Sequence, residues 1–329
     1  MILSGKKQLA VVLLVASLLC LPIAALSADG EMPPKDPTWK IDVKQKTLFN
    51  SHTSFEFASP YSLYQQPLSR LEFPVDSIWG GVGVRKQLSR FSAGAEFLTS
   101  FADQKTSIFK DSDWADEESP GRLTNYSESS CRLKPSYQVG ADVDMQVADL
   151  LRLPKGFDLR PVVGFRWQQL ALVAYDGIQY DNDTSDSWPT IQPLPGDSIS
   201  FEQNWYQYFM GMRFGYEWQQ LSWLHRLKLQ TQLDWSYVTG ENRDHHLLRE
   251  GNRITEEQTT GDAWHAALEV VFGITKNLDL GIEADYLKIQ TTGTHTLTNE
   301  LFGINESWTN GVKVWSEQYG LTVKLGYRF

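Results

Sequence analysis

The chain has 329 residues, 41% of them hydrophobic and including 12 Trp, 13 Tyr and 16 Phe, which excludes a disordered protein and supplies a large buried or lipid-facing surface. A formal net charge of −10 argues against nucleic acid as a partner and fits cationic substrates. Two cysteines, one of them at position 20, leave an exported chain without an internal disulfide.

The chain opens with "MILSGKKQLAVVLLVASLLCLPIAALSADG". Lys6 and Lys7 precede an apolar run from about Leu9 to Ala25, and the small Ser27 and Ala28 follow. This is the pattern of a secretory signal peptide over residues 1–28, leaving 29–329 as the mature domain. Cys20 follows two leucines, which speaks against a lipidation site there, and it leaves with the signal. After residue 28 no run approaches the roughly 18 apolar residues that a membrane-spanning helix requires. A soluble exported protein or a β-barrel remains.

Residues 29–46 read as a short polar lead-in. From there on, segments with period-two alternation begin near residues 47, 68, 91, 136, 158, 202, 226, 263, 277 and 315, giving about ten strands. Val139, Ala141, Val143, Met145 and Val147 oppose Asp142, Asp144 and Gln146. Leu227, Leu229, Leu233, Trp235 and Tyr237 oppose Lys228, Gln230, Gln232, Asp234 and Ser236. In the next clear case Leu278, Leu280, Ile282, Ala284 and Tyr286 oppose Asp279, Gly281, Glu283 and Asp285. A face of acids opposite an apolar face suits a polar lumen behind a lipid-facing wall. The last segment, "SEQYGLTVKLGYRF", closes on an aromatic carboxy-terminal residue, as bacterial outer-membrane barrels do. Short connections, such as 88–90 and 275–277, alternate with long ones at about 58–67, 104–134, 176–200, 240–262 and 293–313. The expected fold is therefore all-β, a ten-stranded antiparallel transmembrane β-barrel of the outer membrane with long extracellular loops. Side chains can largely fill a barrel of that size, so function should lie at the loop end rather than in a wide channel.

Three clusters fall at the outer ends of strands: "KDSDWADEESPG" with Asp111, Asp113 and Asp116; "ENRDHHLLRE" with Asp244, His245 and His246; and "SFEF" with Glu56. Residues two apart share a face of a strand, so Asp111 pairs with Asp113, and Asp244 pairs with His246 rather than with His245. Continuing the inward even positions of the seventh strand places Asn242, Asp244 and His246 in the lumen. By the same alternation Glu56, opposite Phe55 and Phe57, is expected to face inward. For Asp111 and Asp113 to face inward the third strand needs a bulge or bend near residues 102–110, because the odd positions Phe97 and Phe101 face outward. Two carboxylates would then face an Asp/His pair across the barrel mouth, an arrangement suited to activating water. An acidic solvated or calcium-binding loop is the plainer reading of "DSDWAD". His52, His225, His265 and His295 are expected to be structural or solvated.

These stretches resemble the omptin family of ten-stranded outer-membrane endoproteases. "DSDWADEESPG" is similar to the family's D-x-D-W-x-D-x-x-x-P-G stretch, and "DHHLLREGNRIT" to its D-x-H segment followed by R-I-T. The resemblance covers essentially the whole mature chain. It implies an aspartic-type endopeptidase with Asp111 and Asp113 as the catalytic aspartate pair, Asp244 and His246 as the Asp/His dyad, and no covalent nucleophile. It further implies substrate-binding roles for Glu56, for Asn242 and for Asn125, the last two standing where the family carries acids. An amide there removes a charge-assisted partner for Arg or Lys, so cleavage near basic residues with a less strict dibasic preference is expected, and Glu117 and Glu118 could compensate. Lipopolysaccharide is implied as an activator and outer-membrane lipids as partners, with Trp167, Gln169 and Asn204 departing from the family's charged lipid-binding positions. No metal or other cofactor is expected, and the barrel is expected to be monomeric, with its active site facing outside a Gram-negative cell. The competing reading is a non-enzymatic surface barrel, an adhesin or a cation- or peptide-binding protein.

Overall fold

The computed structural model describes residues 38–58, 67–101, 103–181, 190–219, 221 and 224–329. The expected signal peptide and most of the expected loop at 58–67 lie outside them. One antiparallel sheet contains β1 (Thr38–Phe57), β2 (Ser69–Pro74), β3 (Ser77–Leu88), β4 (Phe91–Ser100), β5 (Gln104–Asp113), β6 (Asn125–Leu133), β7 (Tyr137–Met145), β8 (Phe157–Asp181), β9 (Thr190–Gln219), β10 (Arg226–His246), β11 (Arg253–Gly273), β12 (Leu278–Asn299) and β13 (Ile304–Arg328). Pairing of β1 with β13 closes the sheet into a barrel. β2 and β3 form one broken lane beside β1, and β4 with β5 and β6 with β7 form two more. The thirteen segments therefore make ten lanes, the number the alternation leads one to expect.

Around the terminal end of the barrel the alternation does what the sequence expects. Val323 and Leu325 on β13 are 45% and 51% exposed, and Leu233, Trp235 and Tyr237 on β10 are likewise open on the outer wall. Aromatic residues end this apolar band on the loop side, with Tyr286 packed on Tyr319, as at a lipid–water boundary. The inward residues are a network of ion pairs. Arg213 contacts Asp142 and Asp144, Arg85 reaches the same two carboxylates at 2.7 and 2.8 Å, and Arg160 reaches Asp144 at 2.8 Å. Higher up Asp234 is held by Arg166 and His265, each at 2.8 Å, and Lys324 by Glu283 and Glu269 at 2.7 and 3.2 Å. This packing fills the lumen, as expected for ten strands.

Two expectations need correction. Residues 38–46 are not a lead-in but the first half of β1. Lys40, Asp42, Lys44 and Lys46 point into the lumen, where Lys44 meets Glu96 at 2.6 Å and Lys46 meets Asp285 at 2.9 Å, so the segment looks polar although Ile41 and Val43 face outward. The long loops are also shorter than expected. β5, β6, β9, β10, β11 and β13 continue beyond the apolar band, leaving only residues 114–124, 247–252 and 300–303 as connections where 104–134, 240–262 and 293–313 were expected. Beyond the lipid both faces of a strand can be polar, so the apolar alternation stops while the hydrogen-bonded ladder does not.

Above the ion pairs the lumen becomes apolar. Phe73 stacks on Phe201 at a ring-centroid distance of 4.3 Å and packs against Phe109 at 4.5 Å, and Phe55 stacks on Phe201 at 5.6 Å. Leu71, Leu133, Leu170, Leu172 and Ile289 complete this buried layer. Cys131 belongs to it and is fully buried and unbridged, so it acts as a small apolar filler rather than an exposed thiol.

Candidate active site

The expected bend lies between β4 and β5. Phe101 is 57% exposed on the outer wall, Asp103 has a positive φ of 51°, and the β5–β6 register shifts between Lys105 and Ile108. After the shift odd positions face inward, and Phe109 is 1% exposed. Asp111 and Asp113 stand two and four residues beyond Phe109 on the same face, opposite Leu71 and Ser69 of β2. Both are thereby set just above the aromatic layer, facing the mouth of the barrel.

On β10 the inward even positions continue without a break from Asp234 through Ser236, Val238 and Asn242 to Asp244, all buried. Asp244 is flanked in register by Phe201 on one side and Thr255 on the other. Gly240, on the same face, leaves room for the buried Trp205 indole, which an added Cβ would approach to 2.4 Å. His246 Nε2 lies 2.9 Å from Asp244 Oδ2, which leaves Nδ1 as the imidazole nitrogen not engaged by the carboxylate. Asp111 is within electrostatic reach of Asp113, His246 and Asp244. The structure thus brings together Asp111, Asp113, Asp244 and His246 from β5 and β10.

The electrostatics of this group are unusual for carboxylates. Burial pushes the Asp111 carboxyl up to about 7, with the Asp113 charge adding to the effect and His246 opposing it. Burial likewise raises Asp113, against a hydrogen bond from Ser69 and the charge of Arg253. Both carboxyls are thus held above the ordinary carboxylate range, as close, buried like charges are. Burial alone would depress the His246 imidazole, but Asp244 outweighs it and the group is raised above its ordinary value.

Two more expected site residues face the same mouth. Asn125 lies opposite Asp113, and its buried Oδ1 has no hydrogen-bond partner among the described residues. Asn242 Oδ1 accepts a 3.0 Å hydrogen bond from Gln203 Nε2, and its buried Nδ2 has no hydrogen-bond partner among the described residues. Glu56 does not join them. It lies opposite Arg70 and Lys313, and its carboxylate is 2.6 Å from Arg70 and 3.7 Å from Lys313 on the outer wall, while the adjacent Phe55 and Phe57 point inward. The β1–β13 register shifts between Phe49 and His52, and above that shift the interior is the aromatic layer. The expectation for Glu56 assumed that apolar side chains mark the lipid side, which fails at this height. Asp116 is also outside the group: it accepts from the backbone amides of Glu118 and Ser119 and pairs with Arg122 at 2.8 Å, so it shapes the 114–124 connection.

Residues from β11 and β12 complete the mouth, and of these only His295 was named from the sequence, as structural or solvated. Glu257, opposite Asn242, has its carboxylate 2.8 Å from His295 Nδ1, and both are almost wholly buried. His295 is sandwiched between Phe57 at 4.4 Å and Trp308 at 4.7 Å. Burial raises the Glu257 carboxyl against the opposing pull of His295. Arg253 stands opposite His246. The signal was available: Arg253, Thr255, Glu257 and Thr259 alternate, yet in "RITEEQT" the outward Glu256 and Gln258 are polar too and only Ile254 is apolar, so the run reads as a loop.

A sequence model described as "Omptin family" matches residues 66–329. No curated protein matches the chain. Among solved structures, the outer membrane protease OmpT from Escherichia coli aligns with a TM-score of 0.76 at 16% identity, covering 93% of this chain and 99% of that one. The outer membrane protein OprG from Pseudomonas aeruginosa aligns with a TM-score of 0.36 at 9% identity, over 90% of this chain and 97% of that one. At such identities the OmpT likeness speaks for the barrel fold.

Proposed function

This chain belongs to the Omptin family and is an outer-membrane protease, and on that premise we propose that it is an aspartic-type endopeptidase using activated water at the extracellular mouth of its barrel. The single observation that carries the reading is the convergence of two protonation-perturbed groups, the Asp111/Asp113 pair and the Asp244/His246 pair, over an apolar floor. Perturbed titratable groups facing one another in a concave site are the usual mark of acid–base chemistry.

In this scheme Asp244 orients the imidazole through Nε2 and stabilises its charged form. Nδ1 of His246 takes a proton from water as the oxygen attacks the peptide carbonyl carbon. The Asp111/Asp113 pair, its proton affinity raised by burial, positions that water from the other side. Collapse of the tetrahedral intermediate breaks the C–N bond, and the imidazolium returns its proton to the leaving amine. No side chain forms a covalent bond to the substrate.

Specificity follows from the charges around the groove. The acids attract cationic peptides, and cleavage near a basic residue is the proposed preference. Asn125 and Asn242 present amides where a second and third carboxylate would tighten it, and Glu56, being on the outer wall, does not contribute to the groove. Lipopolysaccharide is the proposed activator. At the outward positions Trp167 Nε1 donates to Asn204 Oδ1 at 3.2 Å, and Gln169 lies opposite Asn204, so these three offer a phosphate no guanidinium and other outward residues would carry the contact. Closure of the sheet leaves the barrel wall without a free edge, in keeping with a monomer.

The test is cleavage of peptides bearing single and paired basic residues by the refolded full chain, with and without lipopolysaccharide, beside Asp244→Ala. Cuts next to Arg or Lys that disappear in the variant are expected. Equal cutting by the variant would remove the dyad from the mechanism, and binding without any product would favour the adhesin or binding-barrel reading.

A further inference from the structure

A half-open pocket of about 270 Å³ lies at the loop end between the 247–252 and 300–303 connections, lined by Arg249, Glu250, Arg253, Leu297, Asn299, Phe302 and Ile304. It is a built feature. Asn299 Nδ2 donates to the Glu250 carbonyl and the Glu300 amide to the Gly251 carbonyl, each at 2.9 Å, stitching the two connections together, and Asn299 Oδ1 accepts from the Phe302 amide at 3.3 Å, shaping the 300–303 turn. Its place relative to the dyad is fixed by register. Arg253 is opposite His246 on β10–β11, and Leu297 is opposite the buried, inward Thr255 on β11–β12. The pocket therefore opens onto the groove and not onto the outer wall.

We propose that this pocket is a subsite for a carboxylate-bearing residue of the peptide substrate, held by Arg253 and Arg249. The inference rests on the peptidase reading above. Among the described residues neither guanidinium has a carboxylate within ion-pair distance, and Arg253 Nε is buried with no hydrogen-bond partner. That sets them apart from the inward arginines at the other end of the lumen, Arg85, Arg160, Arg166 and Arg213, each of which has a carboxylate partner. A buried donor left unmatched is costly, and in an arginine without a carboxylate partner it is open to a ligand. A guanidinium fork suits a carboxylate in two parallel hydrogen bonds, and Leu297, Phe302 and Ile304 line the pocket's apolar side. Glu250 also lines the pocket, and both arginines lie within electrostatic reach of Asp113, so their charge faces the groove as well as the pocket. A solvated arginine loop is the plain alternative, and the buried Nε and the inward opening are what argue against it. Lipid phosphates are disfavoured as the ligand because the outer wall does not reach the pocket. The groove then reads a peptide bearing both charges, with the basic residue drawn to the Asp111/Asp113 side and an acidic one to the β11–β13 side.

The experiment uses the refolded full chain with lipopolysaccharide and peptides that share one basic residue at the cut and differ by Glu, Gln or Lys at each flanking position in turn. One position is expected at which Glu exceeds Gln in kcat/KM by roughly tenfold. Arg249→Gln and Arg253→Gln, each measured as its own Glu-to-Gln ratio, should bring that ratio close to one, and Arg249→Glu should turn the preference toward Lys. Absence of any position preferring Glu, or a preference unchanged in both glutamine variants, overturns the subsite. Should no peptide be cut, the peptidase reading fails separately, and fluorescence anisotropy of the labelled Glu and Gln peptides on Asp244→Ala still decides: tighter binding of the Glu peptide supports the subsite and equal affinities overturn it.

Discussion

The two halves of the lumen use the same residue types in opposite ways. At the terminal end, Asp142, Asp144, Asp158, Asp234, Asp279 and Asp285 each meet an Arg or Lys nitrogen at 3.1 Å or less. At the loop end Asp111, Asp113, Asp244 and Glu257 have none within ion-pair distance among the described residues; Asp244 and Glu257 have only imidazoles, at 2.9 and 2.8 Å. Buried carboxylates compensated by cations hold a structure together, whereas buried carboxylates left short of cations cost stability and are kept where their proton affinity is of use. The aromatic layer of Phe55, Phe73, Phe109 and Phe201 separates the two regimes.

Mutations that exchange stability for chemistry sharpen the contrast most. Asp244→Ala should lower kcat/KM by roughly 10³ to 10⁴-fold while the barrel still shifts on heating in gels. Asp144→Ala should do the reverse, costing about 3–5 kcal/mol in urea unfolding because three arginines lose a shared carboxylate, with turnover of the folded fraction retained. If both variants lost activity and stability together, the division into two regimes would not hold.

Asp111 gives a milder and stranger result. Its folded-state value of about 7 lies above its ordinary 3.8, so the folded protein binds the proton more tightly than the unfolded one and stability falls as pH rises through that window. Asp111→Asn removes the penalty. It should be more stable than the parent at pH 8, on the order of 2–4 kcal/mol after allowing for partial solvent access, and equally stable below pH 4, while losing cleavage. Denaturation at the two pH values checks this, and a variant destabilised at pH 8 would contradict it.

The pH profile of kcat/KM should fall on acidification with an apparent pKa above the 6.5 of an ordinary imidazole, because a raised His246 must be neutral to accept a proton. Asp244→Asn should move that limb to lower pH wherever residual activity can be followed. The smallest effect is on specificity: Asn125→Asp or Asn242→Asp should increase selection for basic residues by roughly tenfold, since each restores one charge-assisted partner. No change in selection would detach these positions from the groove.

How much of this was readable in the chain depended on which solvent each face meets. Between lipid and ion-paired lumen the period-two pattern of β10, β12 and β13 identified inward and outward residues correctly, and it carried on along β10 to place Asp244 and His246. It also demanded the bend that Asp103 and the Lys105–Ile108 register shift supply. The same rule misplaced Glu56, because above the band the interior is aromatic and the outer wall is aqueous, which reverses the meaning of an apolar side chain. Arg253 and Glu257 were hard to read for a related reason, since at the loop end of β11 Glu256 and Gln258 make the outer face polar as well and blur the alternation. The aromatic layer came from residues distant in sequence and could not be assembled without the register between strands.

In the proposed mechanism, water activated at the loop end attacks the peptide bond directly. Its most direct test is cleavage of a peptide with one basic residue in the presence of hydroxylamine, with intact-mass measurement of the protein during turnover and His246→Ala alongside. Only the free carboxylic acid product, no mass added to the protein, and no cleavage in the variant are expected. A peptide hydroxamate, an acylated protein, or undiminished cleavage by His246→Ala would contradict it.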